Sequence, residues 1–277
     1  MTQQTRQFFM CPPDHFRVDY AINAWTDPGA KVDAERALEQ WERLYSVYVD
    51  AGAQVGVIEP EPGVPELVFA GDSIFLYGER AISARFRHAE RQPEVAPMAR
   101  RFARRGYRVE QLPDGMHFEG NAEAIHWNGM LLAGWGVRSD RSALDHVCAQ
   151  LDLELHAFQL AAPYYHLDVC LAPIDERTAL YYPGAFTARG REQLARLVPR
   201  LIAVTEAEAK ALACNSVSVH GSVVMSTTRA PRVAELLCAA GKRVIALDVS
   251  EFQKAGGGVK CLTLEAYRPI KLSRAVA

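Results

Sequence analysis

The 277-residue sequence lacks the features that mark membrane proteins and nucleic-acid-binding proteins. No window approaches the roughly 18 consecutive apolar residues that a membrane-spanning helix needs. Lysine plus arginine total 31, aspartate plus glutamate total 33, and no long basic run occurs, which argues against a nucleic-acid or anionic-membrane partner. The first residues lack the apolar segment of a secretory signal, so we expect a cytoplasmic protein.

The sequence also lacks paired cysteines. No C-x-x-C pair and no cysteine–histidine spacing typical of a zinc site is present, so we expect no structural metal. In a large cytosolic chain the cysteines are expected to be free thiols, most of them buried and at most one or two chemically special. The six are Cys11, Cys148, Cys170, Cys214, Cys238 and Cys261.

Hydrophobic periodicity predicts one structural unit that is repeated about five times, an amphipathic helix followed by a short strand. The first helix covers Ala34–Asp50, with Trp41, Leu44 and Tyr48 on one face, and a strand follows over 54–58. Four similar helix–strand units are predicted over 95–112, 142–158, 191–204 and 231–247. A further helix is predicted over 205–214, where Thr205 and Glu208 have capping-box spacing.

Further strand-like runs lie between these units, so each unit resembles a small αβ module with a hairpin. The runs cover 73–77, 124–127, 130–133, 178–182, 222–226 and 262–265. Repeats of this length suggest modules arranged around an axis or in a stack. No Pro/Gly/Ser-rich linker divides the chain, so the sequence predicts a single α/β domain over 1–277.

Five residues with chemically useful side chains recur at similar places in successive modules. They are Asp72, Glu119, His166, Asn215 and Cys261, and their separations are 47, 47, 49 and 46 residues. Equivalent positions in modules around one axis would converge at its centre. Such a group would join a thiol, an imidazole and carboxylates that are far apart in the sequence.

A thiol beside an imidazole is a nucleophile with an acid–base partner. Carboxylates next to that pair favour a cationic substrate, and a planar cation with many N–H donors points to a guanidinium. Each residue also has a commoner structural role. Taken singly, Cys261 fits a buried thiol, His166 an ordinary hydrogen-bonded histidine, and Asn215 a helix C-cap, while Asp72 and Glu119 fit caps of helices or turns.

Three sequence segments resemble a known superfamily. Phe118-Glu119-Gly120, His166-Leu167-Asp168 and the glycine-rich approach to Cys261 are similar to motifs of arginine deiminases, dimethylarginine dimethylaminohydrolases and amidinotransferases. The segment over 10–23 looks like the branch that includes arginine dihydrolases. The resemblance covers almost the whole chain and implies a five-bladed pseudosymmetric α/β propeller, the pentein fold, with a single catalytic domain.

The resemblance also implies roles for individual residues. Cys261 is implied to be the nucleophile and His166 the general acid and then the general base. Glu119 is implied to hold the guanidinium and orient His166. Five residues are assigned to substrate binding. Asn215 is assigned from its spacing, and the resemblance implies the other four, Asp72, Asp168, Arg85 and Arg138.

The expected activity is cysteine-dependent hydrolysis of arginine or an Nω-methylated arginine through a covalent thiouronium intermediate, with no metal or organic cofactor. Citrulline plus ammonia or an amine would be the products. Three alternatives stay open: an amidinotransferase, an arginine dihydrolase that gives ornithine, and a non-catalytic binding protein. The expected partner is a small guanidine compound, and a homo-oligomer is left open.

Three positions bear on the substrate. The usual aspartate four residues after the catalytic glutamate is replaced by the longer Glu123, within the altered segment 121–123. Asp72 looks more like the residue of a single-step deiminase or dimethylargininase than like the asparagine of the dihydrolase branch. Asp168 leans towards an unsubstituted guanidine, because mammalian dimethylargininases often have lysine there.

Overall fold

The computed structural model describes residues 6–268. Within that range the chain forms eight α-helices and fifteen strands in a mixed α/β domain. The helices are α1 Ala34–Asp50, α2 Val95–Arg104, α3 Gly120–Glu123, α4 Arg141–Leu151, α5 Ala188–Leu197, α6 Glu206–Lys210, α7 Pro231–Ala239 and α8 Ser250–Gln253. The strands are β1 Gln7–Met10, β2 Gln54–Val57, β3 Ile74–Tyr77, β4 Arg80–Ser83, β5 Arg108–Glu110, β6 Ala124–Trp127, β7 Met130–Trp135, β8 Glu154–Gln159, β9 Leu171–Pro173, β10 Thr178–Tyr181, β11 Arg200–Ala203, β12 Val217–Val219, β13 Ser222–Met225, β14 Arg243–Ala246 and β15 Leu264–Tyr267.

One three-stranded arrangement occurs five times over residues 6–268. An entering strand (β15, β3, β6, β9 or β12) pairs antiparallel with a middle strand (β1, β4, β7, β10 or β13). The middle strand pairs parallel with a last strand (β2, β5, β8, β11 or β14). Parallel neighbours need a crossover connection, and here α1, α2, α4, α5 and α7 supply it. The predicted helix–strand units are therefore confirmed.

The first unit is completed by the end of the described chain, because β15 provides the entering strand for β1. A parallel pairing between β15 and β3 joins the first two units into one six-stranded sheet. The other three units form separate three-stranded sheets among the described residues. The strand pairings establish the α/β class, but they do not establish the predicted closed ring of five blades.

Local sequence explains where the helices begin. The side chain of Asp33 accepts a hydrogen bond from the Arg36 N–H at the start of α1. Helix α6 begins with the predicted capping box, in which Thr205 and Glu208 accept each other's backbone N–H groups. This helix ends at Lys210 instead of continuing to residue 214, because Leu212 adopts a left-handed φ of +61°.

The apolar face of α1 shows how the core supports the site. Leu44 and Tyr48 are fully buried in an apolar cluster that also contains Phe8 of β1 and Cys261. The Phe8 and Tyr48 ring centroids lie 4.8 Å apart, and the Tyr48 hydroxyl lies 2.9 Å from the Thr263 hydroxyl. Burial of each such side chain contributes about 1.5–3 kcal/mol. The cluster therefore fixes the turn that carries Cys261.

Within the described part of the chain, no helix is both long and apolar enough to cross a membrane. The six cysteines are free thiols, as predicted, and only Cys238 among them is exposed.

Candidate active site

Five side chains are placed by equivalent turns of the five units. Each turn lies two to five residues before an entering strand. The residues are Asp72 before β3, Glu119 before β6, His166 before β9, Asn215 before β12 and Cys261 before β15. All five are buried, none with more than 4% of its surface exposed. The regular spacing in the sequence therefore corresponds to a regular position in the structure.

The approach to Cys261 explains the glycines that precede it. A Cβ atom on Gly258 would lie 2.6 Å from Oδ1 of Asn215 and would also clash with the Ser226 hydroxyl. Only glycine lets the backbone come this close. The backbone N–H groups of Lys260 and Cys261 then donate to Asn215 Oδ1 at 2.9 and 3.4 Å. These contacts fix the backbone that carries the thiol.

Asn215 links the thiol turn to the segment that carries Asp168. Its Nδ2 donates to Cys261 Sγ and to the Asp168 carbonyl, both at 3.3 Å. Both the donor and the acceptor of the Asn215 amide are thus occupied by protein groups. This geometry describes a residue that positions Cys261 and Asp168.

Two carboxylates lie beside the thiol, and in each of them one oxygen has no hydrogen-bond partner among the described residues. Cys261 Sγ donates to Asp168 Oδ2 at 3.5 Å, and Arg91 Nη1 lies 2.5 Å from Asp72 Oδ2. The other oxygens, Asp72 Oδ1 and Asp168 Oδ1, are buried and have no hydrogen-bond partner among residues 6–268. A ligand atom from each of Asp72, Asp168 and Cys261 lies within 4.8 Å of the others. Such a cluster suits a cation, either a metal ion or an N–H-rich organic cation.

His166 and Glu119 form the second half of the site. His166 Nε2 lies 2.7 Å from Glu119 Oε2, and because a carboxylate only accepts, this nitrogen carries a proton. Arg138 Nη1 donates to the same carboxylate oxygen at 2.9 Å. His166 Nδ1 is buried without a partner among the described residues. This nitrogen is therefore not committed to another protein group.

Burial opposes ionisation of the thiol and of the carboxyl groups, and neighbouring charges decide which of them ionise. Burial raises the pKa of Cys261 well above its usual value, and the nearby charges of Asp168 and Asp72 raise it further. Burial also raises the pKa of Asp168, to about 7. Burial opposes ionisation of Glu119, but the hydrogen bond and charge of His166 and the charge of Arg138 hold its pKa below the usual range. The unliganded site thus holds a protonated thiol and an ionised Glu119.

Arg91 was not anticipated from the sequence. Its guanidinium is buried and contacts Glu94 at 2.6 Å and Glu66 at 3.2 Å as well as Asp72. Burial raises the pKa of Glu66 to about 8, because one guanidinium cannot balance three carboxylates. The segment around Arg91 is rich in charged residues and resembles a solvent-exposed turn, so no local pattern indicates its burial.

Glu123, which replaces the usual aspartate, is fully buried beside the site. Both of its carboxyl oxygens lack hydrogen-bond partners within the described range. Burial raises its pKa well above the usual value, and the charges of Glu119 and Asp168 act in the same direction. Burial therefore favours the neutral form of this longer acid.

A narrow cavity, here called the thiol cavity, reaches Cys261. Its volume is about 10 Å³, which is room for about one water molecule. It is lined by residues that include Ile22, Asn23, Asp72, Glu66, Arg91, Arg138, Tyr165 and Cys261. Arg85 is not among the lining residues, since its guanidinium contacts the Leu112 carbonyl and the exposed Asp114. Of the two arginines predicted to bind substrate, only Arg138 faces this cavity.

Comparisons with known proteins agree with this fold. Residues 12–268 match the family model described as N,N dimethylarginine dimethylhydrolase, eukaryotic. The N(G),N(G)-dimethylarginine dimethylaminohydrolase of Mycobacterium tuberculosis is 38% identical over 268 residues, which is 96% of this chain and 87% of that protein.

Cyanobacterial proteins are also similar. The bifunctional arginine dihydrolase/ornithine cyclodeaminase AgrE of Nostoc sp. is 37% identical over 98% of this chain, which spans only 39% of that protein's length. The crystal structure of the N-terminal domain of ArgZ, an arginine dihydrolase bound to its product, superposes with a TM-score of 0.92 at 34% identity. The match covers 96% of this chain and all of that domain.

Fold, site and comparisons together define the class of the protein as a hydrolase that acts on C–N bonds of amidines. More narrowly, the chain belongs to the dimethylarginine dimethylaminohydrolase family.

Proposed function

We propose that the protein hydrolyses the guanidinium group of arginine or an Nω-methylated arginine through a thiouronium formed on Cys261. The observation that carries the proposal is the pair of unpartnered oxygens, Asp72 Oδ1 and Asp168 Oδ1, beside the Cys261 sulfur. Buried carboxylate oxygens without donors are costly, and a guanidinium supplies up to five N–H donors in one plane. The pair fits this ligand better than an ammonium, which is a compact point charge.

Binding of the cation prepares the nucleophile. Asp72 and Asp168 raise the pKa of Cys261, so a guanidinium that neutralises them lowers it again. The thiol then releases its proton to solvent, and the Cys261 thiolate attacks the central carbon of the guanidinium. A C–S bond forms, and the negative charge of the thiolate and the positive charge of the guanidinium cancel in a neutral tetrahedral adduct.

His166 is placed to move the protons. In the first half-reaction it donates a proton to the departing nitrogen, the C–N bond breaks, and ammonia or a methylamine leaves. In the second half-reaction it takes a proton from water, which attacks the thiouronium carbon. The C–S bond then breaks and releases citrulline, and the cysteine is restored. Glu119 supports both steps, since its contact with Nε2 stabilises the charged imidazole.

The other end of the substrate is assigned to Arg138. Its buried guanidinium lines the thiol cavity, where Nη1 donates to Glu119 at 2.9 Å and Nη2 donates to the Ile22 carbonyl at 2.7 Å. Movement of Ile22 would free Nη2 for a charge-assisted hydrogen bond to the substrate carboxylate. Arg91 also lines the cavity, but Asp72, Glu66 and Glu94 already surround it. Because the cavity holds about one water molecule, entry of an amino acid requires lining residues such as Ile22 and Asn23 to move.

We also propose that the five three-stranded units stand around one axis as a five-bladed propeller. The turns before their entering strands supply Asp72, Glu119, His166, Asn215 and Cys261 to one site. A ring accounts for this convergence, because equivalent turns would then meet at its centre.

The comparisons favour arginine dihydrolysis as a second candidate, since ArgZ and AgrE are named arginine dihydrolases. That reaction would release ornithine, two ammonia molecules and one carbon dioxide per arginine. The aspartate at position 72 favours a single step. An amidinotransferase and a binding protein without catalysis are the remaining alternatives.

A substrate panel with product identification separates these functions. Arginine, monomethylarginine, dimethylarginine and agmatine are incubated with the protein, with and without glycine, and products are identified by mass spectrometry. We expect citrulline and one equivalent of ammonia or amine. Ornithine with two equivalents of ammonia would select the dihydrolase, and guanidinoacetate would select the amidinotransferase.

The cysteine variants test the covalent route. Cys261→Ser is expected to lower turnover at least about 1,000-fold, because serine is a poor nucleophile at neutral pH. The matched Cys238→Ser variant changes an exposed thiol on α7 and is expected to keep full activity. Full activity of Cys261→Ser would refute the covalent route, and absence of turnover with every guanidine would favour the binding protein.

A further inference from the structure

A second cavity lies where four sheets meet, away from the thiol cavity. Its volume is about 520 Å³, and residues of the entering strands β6, β9, β12 and β15 line it. The two cavities have no lining residue in common. We call this space the strand cavity. Its volume falls in the range of small-molecule sites, which is about 300–1,000 Å³.

Lys260 lines the strand cavity and carries a charge that lacks a counterion. Its side chain is buried, with 7% of the residue exposed. Among residues 6–268, its Nζ has no hydrogen-bond partner and forms no ion pair. A buried ammonium normally pairs with a carboxylate or gives up its proton, because burial without a partner is costly. An anionic group bound next to this amine would therefore stabilise its charged form.

The carboxylates around the strand cavity are already engaged or lie in solvent. Glu265 contacts Arg6 at 2.7 Å, and Asp175 contacts Lys242 at 2.6 Å. Glu176 is exposed at the rim. Asp168, outside the strand cavity, lies close enough for the charge of Lys260 to lower its pKa, but the two side chains form no ion pair. The excess of positive charge favours an anion over a cation or a neutral ligand.

Two neutral groups lining the same cavity are also without partners. The Tyr267 hydroxyl and the His126 Nε2 are enclosed and make no hydrogen bond of normal geometry to the described residues. Burial raises the pKa of the Tyr267 phenol well above its usual value, and the charge of the nearby Glu265 carboxylate raises it further. The phenol and the imidazole can each donate one hydrogen bond, the histidine in its Nε2–H tautomer. Together with the three donors of an ammonium, they suit an acceptor with several oxygens. This donor set suits an oxyanion better than a halide.

We propose that the strand cavity binds a small oxyanion, a phosphate or a carboxylate, with Lys260 as its counterion and Tyr267 and His126 as further donors. Binding at this place is separate from the proposed hydrolysis, because Lys260 does not line the thiol cavity. The side chain of Lys260 and the thiol of Cys261 thus serve two sites from adjacent positions in the chain.

Isothermal titration calorimetry of the protein without substrate tests the proposal. Inorganic phosphate, acetate and chloride are titrated separately at constant ionic strength. We expect saturable one-to-one binding of phosphate or acetate with a Kd of about 1 mM or tighter, and at least about tenfold weaker binding of chloride. Preference for phosphate or for acetate identifies the oxyanion class.

Three variants locate the bound anion. Lys260→Met is expected to weaken binding at least about tenfold, Lys260→Arg to retain it, and Lys210→Met, which removes an exposed charge on α6, to leave it unchanged. Tyr267→Phe serves as a further variant that replaces Lys260→Met if that protein does not fold. It should weaken anion binding about threefold or more.

The opposite results would overturn the inference. They are absence of saturable binding up to about 50 mM of either oxyanion, equal binding of chloride, or unchanged binding after Lys260→Met. These outcomes do not involve turnover, so they are distinguishable from failure of the proposed hydrolysis.

Discussion

The Cys261 thiol donates its hydrogen bond to Asp168 Oδ2, at a sulfur–oxygen distance of 3.5 Å. Within the described chain, no imidazole nitrogen accepts from this thiol. The relationship places an acid beside the proposed nucleophile and keeps the thiol protonated, because a neighbouring carboxylate disfavours a thiolate. Activation of the cysteine therefore depends on binding of a positively charged group next to Asp72 and Asp168.

Alkylation of Cys261 is expected to depend on the charge of the reagent. At pH 7 the neutral reagent iodoacetamide should react slowly, since its binding leaves the pKa of Cys261 raised. The cationic reagent chloroacetamidine should react at least about tenfold faster, because it neutralises Asp72 and Asp168. Peptide mapping by mass spectrometry follows each cysteine, with exposed Cys238 as the internal control that shows no such preference. Faster labelling of Cys261 than of Cys238 by iodoacetamide at pH 7 would contradict the prediction.

Asp72→Asn is expected to weaken substrate binding. The amide oxygen still accepts from Arg91, but the unpartnered Oδ1 is replaced by a donor that faces the guanidinium. Loss of a charge-assisted hydrogen bond is worth about 1.5–3 kcal/mol, so KM should rise roughly 10–100-fold. Steady-state kinetics on the best substrate of the panel measure the change. Asp114→Asn, at an exposed position, serves as control, and an unchanged KM for Asp72→Asn would exclude the proposed contact.

Glu66 is expected to make stability fall as the pH rises. Burial raises its pKa in the folded protein to about 8, against about 4.3 in an unfolded chain. The folded state therefore binds more protons than the unfolded state between these values, and stability present below pH 4.3 is lost as the pH rises towards 8. Urea unfolding at pH 5 and pH 8 should show that Glu66→Gln reduces this loss by at least about 1 kcal/mol.

The control for this experiment is Glu42→Gln, at an exposed position on α1, which should retain the wild-type difference between pH 5 and pH 8. An equal loss of stability in the wild type and in Glu66→Gln would show that Glu66 ionises normally.

Gly120→Ala is expected to destabilise the fold next to Glu119. Gly120 has a left-handed φ of +57°, and a Cβ there would lie 2.7–2.8 Å from the carbonyl oxygens of Asp72, Gly71 and Ile74. The conformation alone costs about 1 kcal/mol for alanine, and the steric conflict adds about 1–3 kcal/mol.

Gly115→Ala separates these two contributions. Its φ is +80°, but nothing lies within 4 Å of the added Cβ, so only the conformational cost of about 1 kcal/mol remains. Urea unfolding at pH 7 compares the two variants. Equal destabilisation would show that the three carbonyl oxygens around Gly120 move aside without a cost in folding free energy.

Local sequence was informative where one helical turn or one pair of strands decides the structure. The apolar stripe of α1 and the capping box of α6 are local patterns, and both were predicted. Strand β1 was missed because three of its four residues are buried, which leaves no alternation of polar and apolar side chains. The strand predicted over 262–265 lies at Leu264–Tyr267 instead, since the turn that carries Cys261 occupies the first two predicted positions.

The residues of the candidate site also fall into two groups, those that the sequence marked and those that it did not. Even spacing marked Asp72, Glu119, His166, Asn215 and Cys261, because each precedes the entering strand of one unit. Arg91 and Lys260 gave no such signal. Charged side chains in irregular segments resemble solvent-exposed groups, and only packing against distant segments buries them.

By itself the sequence determined the helix–strand units, the residue types available for chemistry and the intervals between them, because these depend on local periodicity and chain order. The tertiary structure alone decided which oxygens of Asp72 and Asp168 lack partners, which arginine faces the thiol, and that Lys260 has no counterion. Those properties depend on distances between segments that are far apart along the chain, and no local pattern encodes such distances.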